Sequence, residues 1–150
     1  MNAFELLKKD HKTVSGIFEK LEETTERAVK TREELFGKLK EELDVHAHIE
    51  ETIFYPVLKK EAETRDITLE GFEEHHVIKI LLSELSASPV DTEQWTAKLK
   101  VLKENVEHHV EEEEEEMFKS AREVLSKDQI EELGARMEEE KKRQGASASA

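Results

Sequence analysis

The histidines of this 150-residue chain are confined to four places. They are His11, His46 with His48, His75 with His76, and His108 with His109. Two of these places carry a His-x-x-x-Glu unit, His46 to Glu50 and His109 to Glu113. Residues four apart share one face of an α-helix, so each unit can direct an imidazole and a carboxylate at one point. The spacing therefore predicts a helical fold in which His and Glu side chains converge.

The composition favours a single all-α domain. Five Gly and two Pro in 150 residues provide few turns, which favours long helices over a many-stranded sheet. An apolar content of 36% in a chain of this length is enough to build one core. We predict an antiparallel up-down-up-down four-helix bundle followed by a short fifth helix.

Charge and residue usage exclude several classes of function. The formal net charge of −14 argues against binding to nucleic acid or to an anionic membrane surface. The absence of cysteine excludes disulfides, iron–sulfur clusters and thiol redox chemistry. No apolar run reaches membrane-spanning length, and the first residues lack the apolar core of a secretion signal. We expect a cytoplasmic protein that is a monomer or a weak homo-oligomer.

Capping residues and breaks in the apolar pattern set the expected boundaries. Helix one should begin at the N-cap Asn2 and run to about Lys30, and helix two should begin at a capping box of Thr31 and Glu34. Pro56 should bend helix two or end its regular part. The remaining expected features are a polar connection over 62–68, a break over 86–89, a fourth helix from about Asp91, and a fifth from Ser126 to about Arg143. The expected domains are a bundle over 1–125, a helix over 126–143 and a disordered tail over 144–150.

Six chemically active residues lie in the apolar stripes of the four expected bundle helices. They are His11, His46, Glu50, His75, His109 and Glu113. The chain also repeats itself, since Asp10-His11 matches Glu74-His75 and His46-x-x-x-Glu50-Glu51 matches His109-x-x-x-Glu113-Glu114. Imidazole and carboxylate ligands suit iron, manganese or zinc, and a two-metal site in a helix bundle takes such ligands from four helices. We predict a pseudo-twofold bundle with a metal pair near its axis.

Other interpretations remain for some of these side chains. A lone His on an apolar stripe is usually a satisfied core residue, and a buried His–Glu network could exist without metal. A buried carboxylate is costly unless it is paired or metal-bound, which favours the metal interpretation here. His48 is expected to face solvent, and His76 could flank the site. His108 with Glu112 is the alternative to His109 with Glu113. The rest of the Glu111–Glu116 run is expected to be a solvated helix face.

Four segments together resemble the hemerythrin-like (HHE cation-binding) domain family over about residues 3–122. They are Asp10-His11, Leu43-Asp-Val-His46-Ala-His-Ile-Glu50-Glu51-Thr-Ile-Phe54-Tyr55-Pro56, Glu74-His75-His76 and Val106-Glu-His-His109-Val-Glu-Glu-Glu113. The resemblance implies a four-helix bundle with two non-haem irons joined by an oxo or hydroxo group. It also implies that His11 and His46 hold one iron, that His75 and His109 hold the other, and that both are bridged by Glu50 and Glu113.

The chain departs from the oxygen-carrying members of that family at one ligand. Those members use a second His four residues from the first on helix three, but here the positions either side of His75 are Gly71 and Lys79. We therefore expect open positions on both irons and reactivity with a small oxidant, namely oxygen, hydrogen peroxide or nitric oxide. Peroxidase- or catalase-like and nitric-oxide-reactive activities are both compatible with this expectation. The alternative is a non-enzymatic iron- or oxygen-sensing or iron-handling module.

Overall fold

The computed structural model describes the backbone of residues 1–149 and the side chains of residues 1–145. Within this part the chain forms helices and no β-strand. The α-helices are α1 (Ala3–Glu22), α2 (Val29–Ile49), α3 (Tyr55–Lys59), α4 (Ala62–Ser86), α5 (Glu93–Glu112), α6 (Phe118–Val124) and α7 (Lys127–Ser149). Two π-helical turns interrupt the long helices, π1 (Glu50–Phe54) between α2 and α3, and π2 (Glu113–Met117) between α5 and α6.

Four helical segments form the bundle, and α7 packs across one side of it. The segments are α1, the continuous α2–π1–α3, α4, and the continuous α5–π2–α6. Short connections between them make successive segments antiparallel. The helix α7 contacts α1, α2 and π1. The predicted all-α bundle with a C-terminal fifth helix is confirmed.

The apolar core consists of two clusters with a polar layer between them. One cluster lies at the end that holds the N-terminus of α1 and includes Phe4, Phe54 and Phe118. The other lies at the opposite end and includes Phe18 and Trp95. On every bundle helix, the His and Glu residues of interest lie between the segments that contribute to these clusters. Because apolar side chains cover both sides of the polar layer, its groups are largely withdrawn from water.

The boundary between the first two helices differs from the expectation. The first helix ends at Glu22, not near Lys30, and α2 begins at Val29 with no side-chain cap, so the capping box at Thr31 and Glu34 is wrong. No Gly or Pro marks this turn. Tertiary contacts stabilise it instead, since the buried Arg32 donates to the hydroxyl and carbonyl oxygens of Thr24.

The third bundle helix begins earlier than the sequence pattern predicted. Residues 62–68 form the first two turns of α4, not a polar connection. This segment buries Thr64 and Thr68, whose hydroxyls donate to the carbonyls of Leu58 and Thr64 at 2.6 Å. Satisfied threonines occupy buried helix positions here, so an apolar periodicity could not reveal the helix.

Most of the expected start signals are present. Asn2 and Glu5 form a capping box at α1, and Ser126 and Gln129 exchange the same pair of hydrogen bonds at α7. The N-cap of α5 is Thr92, one residue after the expected Asp91. Pro56 lies in the first turn of α3, directly after the π turn, and the helix continues through it to Lys59.

The C-terminal helix is described through Ser149, beyond the expected end near Arg143. The side chains of 146–150 and the backbone of Ala150 lie outside the described residues, so the division into bundle, helix and tail stays a prediction. Over the described residues, no helix combines the length and apolar character that a bilayer span requires.

Candidate metal centre

The polar layer brings together the six residues that the sequence singled out. Their side chains come from α1, α2, π1, α4, α5 and π2, and each residue is at most 8% exposed. The six are His11, His46, Glu50, His75, His109 and Glu113. Each His directs Nε2 inward, where it lies near a carboxylate oxygen of Glu50 or Glu113.

One half of the layer is built on His11 and His46. The Nε2 atom of His11 lies 3.1 Å from Glu113 Oε1, and the Nε2 atom of His46 lies 3.1 Å from Glu50 Oε1. The His46 nitrogen is also 4.0 Å from Glu113 Oε1. Three buried ligand atoms, from His11, His46 and Glu113, lie within 4.8 Å of one another.

The other half repeats this arrangement with His75 and His109. The Nε2 atom of His75 lies 3.1 Å from Glu50 Oε1, and that of His109 lies 3.2 Å from Glu113 Oε2. Buried ligand atoms from Glu50, His75 and His109 again lie within 4.8 Å of one another. Each glutamate therefore faces one His from either half.

The two halves have nearly the same ring geometry. The rings of His11 and His46 are 4.9 Å apart at 64°, and those of His75 and His109 are 4.8 Å apart at 62°. The sequence repeat thus corresponds to a structural pseudo-twofold arrangement about the polar layer.

Four outer carboxylates orient the four imidazoles. The Nδ1 atoms of His46 and His75 lie 3.0 Å from carboxylate oxygens of Asp10 and Glu51. Those of His11 and His109 lie 2.5 Å from carboxylate oxygens of Glu114 and Glu74. A carboxylate on Nδ1 fixes the ring and leaves Nε2 free to bind a metal.

Sequence reasoning gave these outer carboxylates no role, although the repeat contained them. Asp10 matches Glu74, and Glu51 matches Glu114. Asp10 and Glu74 bind the His of the neighbouring helix, not the His that follows them in sequence. These contacts join neighbouring helices, so they could not be inferred from residues that are adjacent in sequence. Glu114 also corrects the expectation that the rest of the Glu run is solvated, because it is half-buried against His11.

Orphaned buried atoms show that the inner layer fits a cation. Among the described residues, the buried side-chain atoms without a hydrogen-bond partner are His11 Nε2, His46 Nε2, Glu50 Oε2 and Glu113 Oε1. His11 Nε2 and Glu113 Oε1 are only 3.1 Å apart, yet they are not aligned as donor and acceptor. Buried polar atoms are nearly always satisfied, so four orphans that converge on one place indicate a missing partner with positive charge.

The carboxylates of the layer raise the pKa values of its imidazoles. Burial alone would lower the pKa of His46, but the carboxylates of Glu50, Asp10 and Glu113 raise it to about 10. Burial is likewise outweighed at His75 and His109, where hydrogen-bonded glutamates raise the pKa. For Glu50, burial favours the neutral acid, but His46 and its neighbours hold the pKa well below its usual value. A metal ion would replace these protons as the counter-charge.

Tyr55 is a site residue that sequence reasoning missed. Its buried hydroxyl donates to Glu113 Oε2 at 2.6 Å and lies 3.3 Å from His109 Nε2 and 3.5 Å from His75 Nε2. A Cβ atom at Gly71 would lie only 3.0 Å from this hydroxyl. The phenol therefore fills the space beside Gly71, one of the two positions four residues from His75. The glycine at position 71 was the feature of the sequence that could have indicated this close contact.

The three remaining histidines lie outside the layer. His76 is exposed, and His108 is 69% exposed with its Nε2 atom 2.9 Å from Glu112. Glu74 beside it and partial burial raise the pKa of Glu112 to about 7. His48 is half-exposed, but Glu140 and Gln144 of α7 contact it, so the expectation that it faces solvent is only partly met. The structure places His109 with Glu113 inside and His108 with Glu112 outside.

Each π-helical turn begins at one of the two inner glutamates, π1 at Glu50 and π2 at Glu113. Such turns hold one extra residue within a helix and occur often at functional sites. C-terminal to Glu50, π1 brings the side chains of both Phe54 and Tyr55 into the interior. The apolar cluster to which they belong covers the polar layer at that end of the bundle.

An antiparallel bundle that encloses paired His and Glu ligands defines a hemerythrin-like helical protein with a cation site. Residues 2–121 match the family described as Hemerythrin HHE cation binding domain, and the chain belongs to that family. The match begins just before α1, ends within α6 and does not include α7.

Known relatives support this assignment. A crystal structure of a hemerythrin HHE domain protein from Mycobacterium kansasii has a TM-score of 0.87 and 30% identity, covering 99% of this chain and 90% of that one. An uncharacterized Mycobacterium tuberculosis protein is 32% identical over 141 residues, 91% of this chain and 83% of that protein. A Nostoc protein named DNA nickase is 27% identical over 134 residues, and the matched part of this chain (87%) spans 36% of its length.

Proposed function

We propose that the chain is a two-iron protein that reacts with a small oxidant. His11 and His46 hold one ion, His75 and His109 hold the other, and Glu50 and Glu113 bridge them, together with an oxo or hydroxo group. The observation that carries the proposal is the convergence of two buried ligand clusters, which include orphaned His and Glu atoms, on one layer of the bundle. Mixed imidazole and carboxylate ligands suit iron. The outer carboxylates that contact the Nδ1 atoms increase the donor strength of each imidazole.

The size of the neighbouring cavity supports a small ligand. A cavity of about 30 Å³ adjoins the site, which is room for one or two water-sized molecules. All four inner histidines line it, and its other walls are mainly apolar. Oxygen, nitric oxide and hydrogen peroxide fit such a space, whereas larger organic substrates do not.

Access to this cavity lies between α2 and α4. Asp44 and Lys79 are among its lining residues, and their side chains are 44% and 52% exposed. Leu43, Ala47 and Ile78 line it further in and are buried. The inner walls offer water few hydrogen bonds, so water is weakly held in the cavity. A small neutral molecule can therefore enter between α2 and α4.

When bound, an iron pair supplies the electrons for reducing the oxidant, while the protein provides position, dryness and access. The residues of the chain have separable roles in this. The outer carboxylates hold the imidazoles in place. Tyr55 keeps its proton, because burial and the charges of Glu113 and Glu50 hold its pKa well above 10, and its hydroxyl donates a hydrogen bond to Glu113 Oε2. Tyr55 is thereby also placed beside the ion held by His75 and His109.

Metal analysis with a matched pair of variants tests the proposal. We expect the iron-loaded chain to contain about two irons. His109→Ala should lose metal, because His109 lies inside the layer, whereas His108→Ala should keep both ions, because His108 lies outside it. A folded wild-type chain without iron would overturn the proposal. Loss of metal in His108→Ala but not in His109→Ala would mean that His108 and Glu112 are the metal ligands of this helix.

A further inference from the structure

The C-terminal helix reaches the metal layer through an ion pair between the partly exposed Lys141 and the buried Asp10. Lys141 of α7 donates to Asp10 Oδ1, and Asp10 Oδ2 lies 3.0 Å from His46 Nδ1. Asp10 is only 2% exposed, so it depends on these two partners for its stability as a carboxylate. Burial would raise its pKa, but His46 and Lys141 hold that pKa below its usual value. A chain of contacts thus runs from α7 to an inner His.

Among the side chains that the structure describes, no lysine contacts the matching carboxylate in the other half. Glu74 corresponds to Asp10 in the repeat and binds His109 Nδ1 at 2.5 Å. Its other oxygen lies 3.9 Å from His108 Nε2, and the carboxyl group of Glu112 is a further neighbour of Glu74. The pseudo-twofold arrangement therefore breaks outside the inner ligands. One carboxylate is neutralised by a lysine, and its counterpart lies beside a second acid.

Further contacts hold α7 in the position from which Lys141 reaches Asp10. Leu133 and Met137 are buried in the core cluster at that end of the bundle. Gly134 lies against the backbone of the N-terminal residues, where an added Cβ would meet Met1 O at 2.3 Å. Near the end of the helix, Glu140 and Gln144 contact His48 of α2. The lysine is thus on a docked helix, not on a free tail.

We propose that Lys141 is a positioning residue for the metal ion held by His11 and His46. By fixing Asp10, it fixes the ring and the tautomer of His46, so that Nε2 points into the layer. This inference rests on the proposed metal centre, and it assigns a role to a helix that lies outside the family match at residues 2–121. Because Glu74 has no such lysine, the effect is confined to one of the two ions.

Chelator-induced iron release from the full-length loaded chain tests this asymmetry. In Lys141→Met we expect one of the two irons to leave faster, by severalfold to about tenfold, because direct loss of an outer partner typically costs about 10–100-fold in affinity. The second iron should leave at the wild-type rate. Lys142→Met, a change at the exposed neighbour, should match wild type, and Lys141→Arg should restore slow release.

A second measurement uses the metal-free chain and separates positioning from general stability. The Nδ1 proton resonance of His46 should shift in Lys141→Met, while that of His109 should not. Equal acceleration of both irons, or unchanged release with unchanged resonances, would overturn the proposal. If wild type holds no iron, the two-iron function fails. The His46 resonance then decides the positioning role alone, a shift supporting it and no shift overturning it.

Discussion

The hydroxyl of Tyr55 donates a 2.6 Å hydrogen bond to Glu113, and the residue at the matching place in the repeat is Phe118. Both rings stack on an inner His, Tyr55 on His75 with 5.2 Å between centroids and Phe118 on His11 with 6.4 Å. One half of the layer thus has a buried hydroxyl that the other half lacks. The expectation of open positions on both ions stays a prediction, and the Tyr55 hydroxyl distinguishes the His75 and His109 half from the other.

Replacement of Tyr55 by Phe should destabilise the metal-free protein. The change removes a hydrogen bond to a buried glutamate, and bonds to charged groups contribute about 1.5–3 kcal/mol. Urea unfolding of the metal-free wild type and Tyr55→Phe measures the difference. Phe118→Leu serves as a control for aromatic packing without a hydroxyl. Equal stability of Tyr55→Phe and wild type would mean that the hydroxyl is not a significant partner of Glu113.

The metal-free protein should lose stability as the pH rises from about 6.5 to about 10. The pKa of folded His46 is about 10, above the reference value of 6.5, so the folded state holds a proton that the unfolded state releases within this window. The stabilisation is complete below 6.5 and disappears as the pH passes 10, with a size on the order of a few kcal/mol. Denaturant titrations across the window measure it. His46→Ala should flatten the profile, and an equally steep profile in that variant would contradict the assignment.

Metal removal should lower the melting temperature. Ions that bind the folded state add about 2.7 kcal/mol each when free metal exceeds Kd 100-fold. For a domain of this size, that raises Tm by roughly 5–10 °C per ion. Calorimetry of metal-free and iron-loaded protein tests this, and the difference should grow with pH because metal must displace protons from the imidazoles. Coincident melting curves with loading confirmed would mean that the site is separate from the core.

The reduced, iron-loaded protein should oxidise rapidly in air and stay oxidised under vacuum. All four inner histidines line the adjoining cavity, so a small oxidant inside it would lie next to the proposed ions. Stopped-flow mixing with oxygen, peroxide and nitric oxide in turn identifies the preferred reactant. Recovery of the reduced spectrum under vacuum would indicate a reversible carrier. Inertness toward all three would favour a sensing or iron-handling role.

Much of this architecture could be predicted from the sequence because it rests on local periodicity. His11 and His75 continue apolar stripes, and the spacing of His109 and Glu113 placed them inside, as the structure does. The parts that could not be predicted depend on contacts between distant segments. Arg32 stabilises a turn that contains no Gly or Pro, and Asp10 binds a His on another helix. The polar Thr64 occupies a buried position near the start of α4, so the apolar pattern does not mark that start.

The two π-helical turns have a consequence for how this chain can be altered. A π turn accommodates one residue more than the same stretch of α-helix, so the side-chain phase of each long helix changes at Glu50 and again at Glu113. A helical wheel drawn through either glutamate therefore superimposes buried and exposed positions. In these two of the four bundle segments, the parts before and after the glutamate follow separate registers, and a sequence redesign must treat each segment as two helices that meet at the carboxylate.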